Sequence, residues 1–145
     1  MENNVLVSIK TRQFADGEEL DAIELQTPGK FGILNGKYYI KYEESEMTGF
    51  PDTTTTIKVW ENNVLVGRKG KFNMQLHYEA GTEKLCLYPT PYGEIGTLIK
   101  TDGIEFDFMD LSGKLRVDYE LEPNNESVLK NSLNVSIKPL GVQKG

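Results

Sequence analysis

Apolar and polar residues alternate one for one in segment after segment of this chain, and short turn signals fall between the segments. Period-two alternation is the mark of a strand with one face buried, so a succession of such segments commits the chain to antiparallel sheet. Val5, Val7, Ile9 and Thr11 form the first face, with Ser8, Lys10 and Arg12 opposite. Composition agrees: Ala occurs only three times, while 9 Val, 9 Ile and 11 Thr supply β-branched side chains that lose least in strands.

The turns set the expected pairings. Asp16-Gly17-Glu18-Glu19 reads as a loop, and a strand from Ile23 to Thr27 is expected to break at Pro28-Gly29. Asn35-Gly36 accepts the positive φ angles of a two-residue type I′ turn, which pairs Ile33 with Tyr38 and Phe31 with Ile40. The same reasoning at Asn62-Asn63 pairs Val59 with Val66 and Ile57 with Arg68. A turn at Asp102-Gly103 would pair Ile99 with Phe106 and Thr97 with Phe108, and one at Ser112-Gly113 would pair Phe108 with Val117, Phe106 with Tyr119 and Ile104 with Leu121. Phe72, Met74, Leu76 and Tyr78 before Ala80-Gly81, Leu85 and Leu87 after it, and Leu133, Val135 and Ile137 complete the inward set. Only Glu122 to Lys130 has room for a turn of helix.

About ten strands joined by hairpins predict an all-β, antiparallel up-and-down barrel of eight to ten strands, a single domain over 1–145. The segments Lys37-Tyr38-Tyr39-Ile40-Lys41-Tyr42-Glu43-Glu44, Arg68-Lys69-Gly70, Tyr88-Pro89-Thr90-Pro91-Tyr92-Gly93 and Tyr119-Glu120-Leu121 resemble the landmarks of the YwiB-like family of small bacterial proteins, a domain family of unknown function. The resemblance spans nearly the whole chain and implies a calycin-like, that is lipocalin-like, β-barrel. It brings no activity, substrate or catalytic residue. Classical lipocalins carry Gly-x-Trp near the start; here Trp60 lies mid-chain, on the face opposite Ile57 and Val59.

Acidic residues outnumber basic ones, 22 to 16, for a formal charge of −6, which repels nucleic acid and anionic membranes on average. Neither a basic, apolar leader nor an apolar run of membrane-spanning length is seen, so a cytoplasmic protein is expected. A lone Cys86 excludes an intramolecular disulfide and a cysteine-cluster metal site.

No catalytic constellation stands out, and no cofactor or metal is expected. His77 shares an outward face with Asn73, Gln75 and Glu79; Cys86 shares one with Lys84 and Tyr88; Gly67-Arg68-Lys69-Gly70-Lys71 lacks the spacing of a phosphate loop and reads as a strand end bent at Gly70. Lys114, Arg116, Asp118, Glu120 and Glu122 form a solvated face. The anomaly is inside: parity turns Glu44 and Arg68 inward with Tyr38 and Tyr42, where charges demand pairing. Such a pair is a structural bridge near the barrel mouth or an anchor for a ligand's polar end, with Tyr38, Tyr42, Phe106, Phe108 and Tyr119 as its wall; the third reading places Glu44 beyond the strand end, in solvent. Non-enzymatic binding of a small, mostly apolar molecule is the leading expectation. A filled barrel that binds a protein through rim loops 47–53 and 88–93, with Phe50, Tyr88 and Tyr92 as anchors, is the alternative.

Overall fold

The computed structural model describes residues 2–44, 51–71, 73–90, 93–123 and 128–140. Ten strands follow one another: β1 (Glu2–Ala15), β2 (Glu18–Leu34), β3 (Lys37–Glu43), β4 (Thr53–Trp60), β5 (Asn63–Gly70), β6 (Met74–Glu79), β7 (Glu83–Thr90), β8 (Gly93–Met109), β9 (Ser112–Pro123) and β10 (Leu129–Pro139). They form one antiparallel sheet in the order β6-β5-β4-β3-β2-β1-β10-β9-β8-β7. Every neighbour but one is a neighbour in sequence, and β1 joins β10, so the sheet is an up-and-down barrel closed except between β6 and β7.

That seam corrects one expected hairpin. β6 and β7 are joined by the short turn at Ala80-Gly81 but share no ladder; Lys84 Nζ to Glu79 Oε1 at 3.2 Å and Cys86 Sγ to the Gln75 carbonyl at 3.4 Å span the gap instead. β7 also presents the face opposite to the one expected. Its ladder with β8 places Cys86 opposite buried Thr97, so Cys86 points in while Leu85 and Leu87 are 69% and 55% exposed.

Other turns fall where the chain tolerates a positive φ. Asn35-Gly36 and Asp16-Gly17 both carry positive φ at their two central residues, and Ile33 pairs with Tyr38 and Phe31 with Ile40 as expected. β4 and β5 turn at Glu61-Asn62, with Glu61 at φ 48°, so Val59 meets Val64, Ile57 meets Val66 and Thr55 meets Arg68. β8 and β9 turn at Asp110-Leu111, with Asp110 at φ 56°, so Phe108 faces Gly113, Phe106 faces Leu115 and Ile104 faces Val117.

Two expected breaks are continuous strand. Asp102-Gly103 is a bulge within β8, Asp102 being the extra residue, so Ile99 pairs with Leu121 and Thr101 with Tyr119. β2 runs through Pro28-Gly29: Pro28 lies one position beyond the β3 ladder, where its missing N–H costs nothing, and a Cβ on Gly29 would lie 2.6 Å from the Lys41 carbonyl oxygen and 2.7 Å from Val7 Cγ2. Phe72, residues 124–127 of the expected helical turn, and most of the loop 47–53 lie outside the described residues, as do the side chains of Tyr88 and Tyr92. No helix long and apolar enough to cross a membrane is present among the described residues.

The core lines the barrel wall from within. Val5, Val7, Ile40, Val59, Val64 and Val117 are fully buried, and the odd-numbered positions of β1 and β10 meet the even-numbered ones of β3, β5 and β6 across the lumen.

Candidate functional site

The charged pair and the five aromatic side chains expected to wall it lie in two groups, because the registers place them at different heights along the barrel. Tyr38, Phe106 and Phe108 gather with Phe31 near the Asn35-Gly36 and Asp110-Leu111 turns. Tyr38 is 4.9 Å from Phe108 and 5.9 Å from Phe106 between ring centroids, and Phe31 is 5.5 Å from Phe108. Offset and edge-on rings at these spacings plug that end of the barrel.

Tyr42, Glu44, Arg68 and Tyr119 lie toward the other end and line a cavity of about 270 Å³. Glu44 follows β3, its N–H donating to the Thr53 carbonyl at 2.8 Å, which turns its carboxylate inward over β4. Its side chain is 1% exposed; Thr55 Oγ1 donates to Oε2, and Arg68 Nε lies 3.5 Å from the same oxygen. Two β-strand neighbours, Thr55 and Arg68, are cross-strand partners, so one carboxylate meets both a hydroxyl and a guanidinium. Tyr42 is 6% exposed; burial, reinforced by the nearby Glu44 charge, pushes its phenol far above the ordinary tyrosine range. At neutral pH it is therefore a neutral hydroxyl and offers no base.

A second cavity of about 220 Å³ adjoins the first; Gln13, Leu76, Tyr78, Tyr119 and Leu121 line both. Tyr78 and Tyr119, 4.7 Å apart at the ring centroids, stand between the two lobes. The second lobe is walled mainly by Ile95, Ile99, Leu129 and the Cys86 thiol, whose pKa burial raises. That shift leaves the thiol a weak nucleophile. Gln13 and Asn131, joined at 3.0 Å from Gln13 Nε2 to Asn131 Oδ1, add amides to the lining. Both lie beyond the inward sets expected from the sequence, which begin or end at Thr11 and Leu133; the same parity carried two residues further finds Gln13, and Asn131 precedes Leu133 by two.

His77 faces outward as expected: Nε2 lies 2.9 Å from Asn63 Oδ1 and the ring stacks 6.1 Å from Trp60. Among the described residues, no three His, Cys, Asp or Glu side chains sit close enough to hold a metal.

A small antiparallel barrel, plugged by aromatics at one end and hollow beside a buried ion pair at the other, defines the class of protein. The family model for a domain of unknown function, DUF1934, matches residues 7–135, and the chain belongs to that family. It is 24% identical over 135 residues, 93% of either chain, to the uncharacterized beta-barrel protein YwiB of Bacillus subtilis (strain 168). The crystal structure of the ywiB protein from Bacillus subtilis superposes with a TM-score of 0.82 at 22% identity, covering 97% of this chain and 94% of that one.

Proposed function

We propose that the barrel binds a small, mostly apolar molecule, held between the lobes flanking Tyr78 and Tyr119, with its polar end against Glu44 and Arg68. The observation that carries this reading is the space itself. Side chains fill a barrel of this size at the Phe31–Phe108 end, yet leave about 270 and 220 Å³ at the other. Each lobe is smaller than the roughly 300–1,000 Å³ of a drug-sized site, so the fitting ligand is a single ring or a short chain, unless Tyr78 and Tyr119 part to join the lobes. The neutral Tyr42 hydroxyl and the Gln13 amide give it hydrogen-bond partners, and among the described residues that line the lobes no nucleophile is paired with a base. The role is therefore read as binding without catalysis, in the cytoplasm, where a lone thiol such as Cys86 stays reduced.

The test is a titration of delipidated protein with an environment-sensitive apolar dye, followed by displacement with fatty acids and small aromatics. Saturable one-site binding that weakens at least about tenfold in Arg68→Met supports the reading. A uniformly null titration refutes it.

A further inference from the structure

The net charge of −6 is an average that conceals one face. On the outside of β3 to β6, cross-strand partners bring Lys41 beside Thr56 and Gly67, Tyr39 beside Lys58, and Thr54 beside Lys69. A Cβ at Gly67 would meet only the Thr56 carbonyl oxygen, at 4.0 Å, so without a side chain there the sheet dips into a groove of about 680 Å³. Lys41, Lys58 and Lys69 project around the dip with the Thr54 and Thr56 hydroxyls, and none of the described residues lining it is acidic. Two carboxylates stand at the margins of this face: Glu43 accepts a hydrogen bond from Thr54 at 2.9 Å, and Glu79, across Asn63 from Trp60, pairs with Lys84 at 3.2 Å. The grooves over β1, β9 and β10 differ, for each mixes its cations with Asp or Glu.

Planar rings border the lysines. Lys58 Nζ stands 5.6 Å from the Tyr39 ring centroid, and Lys37 Nζ stands 4.4 Å from that of Trp60, next along β4 on the same face. Cations spaced along strands beside aromatic rings, with hydroxyls below, match a chain of phosphates carrying unstacked bases, each base taking the ring face over which Lys37 or Lys58 now stands as that lysine turns to a phosphate. An acidic peptide would use the cations and leave the rings idle; a membrane would want exposed aliphatic side chains, and among its described residues this face offers only the half-buried Leu65.

We propose that this outer face of β3 to β6 binds single-stranded nucleic acid, phosphates on Lys41, Lys58 and Lys69 and bases on Tyr39 and Trp60. Its lysines and rings take no part in the interior cavity, and Arg68, which borders both, is left intact in its test.

Trp60, the single tryptophan of the chain, lies on this face and serves as a built-in probe. The experiment follows Trp60 fluorescence and the anisotropy of a labelled short oligouridine at low salt, with polyglutamate and phosphatidylserine vesicles as competitors. Saturable binding is expected, with Trp60 quenched and affinity falling on added salt. Lys58→Gln with Lys69→Gln should reduce the salt slope by about 0.7 per lost phosphate contact. Tyr39→Ala should weaken binding by about five-fold or more, and Tyr39→Phe should restore it. These are exposed or half-exposed positions, and unchanged far-ultraviolet circular dichroism confirms that each variant is folded. No binding at low salt, equal binding of polyglutamate or vesicles, or indifference to the lysine and Tyr39 substitutions would overturn the proposal.

Discussion

Replacing Glu44 by Gln leaves the Arg68 guanidinium, 16% exposed, facing Thr55 and a neutral amide in place of a carboxylate. Breaking one side of such a buried pair costs about 3 to 5 kcal/mol, so Glu44→Gln and Arg68→Met should each destabilise by that order. The combined variant should lose much less than the two together, and a double-mutant cycle in denaturant measures the coupling; additivity within about 0.5 kcal/mol would show that the contact contributes nothing. Tyr42 adds a pH dependence whose sign follows from its raised pKa. The unfolded phenol ionises near pH 10 while the folded one stays neutral, so its contribution is complete below pH 10 and is lost as pH rises further, at up to about 1.4 kcal/mol per pH unit. Unfolding between pH 9 and 12 should therefore show a steeper alkaline loss in the natural chain than in Tyr42→Phe. The inward direction of Tyr42, Glu44 and Arg68 was legible in the sequence, because alternation alone decides it. That Tyr38, Phe106 and Phe108 belong to a plug at the far end was not, since height along a barrel depends on register.

At the scale of the strands, the misplaced turns show why faces are easier to read than partners. The β4–β5 and β8–β9 turns lie at Glu61-Asn62 and Asp110-Leu111, ahead of the Asn and Gly residues that invited them. Both displacements change the pairing by an even number of residues, and in a period-two structure an even slip keeps every apolar side chain on its face. Hydrophobic pattern is blind to such a slip; only backbone conformation at the turn decides it. β7 fails differently: Leu85-Cys86-Leu87 is apolar on both faces, so alternation offers no choice, and the Cys86–Thr97 register settles it. Glu61, held at positive φ, is a poor residue for that conformation, and Glu61→Asn should raise stability by up to about 1 kcal/mol in thermal or chemical unfolding. Gly29→Ala should do the reverse by about 1 to 3 kcal/mol, because the Lys41 carbonyl that its methyl would strike belongs to a ladder and cannot swing aside.

For the whole molecule, the seam and the half-empty lumen are one arrangement. The β1–β10 ladder ties the two terminal strands together in mid-sheet and leaves the unpaired edges between consecutive strands, beside the lobe that holds Cys86. Amides on the seam edges of β6 and β7 should exchange with solvent before those of β1 and β10, an order that hydrogen exchange read by NMR will check. The plug at the Phe31–Phe108 end should stay protected throughout, and the smaller lobe lies where the wall is least tied. The most direct test of a ligand-binding lumen is a methyl-resolved NMR titration with a small aromatic such as indole. Saturable shifts are expected at Val66, Leu76 and Ile99, which line the lobes, with Leu85 and Leu87 on the outside unchanged. Interior methyls that do not move at saturating indole, or shifts confined to Leu85 and Leu87, would contradict a ligand-binding lumen.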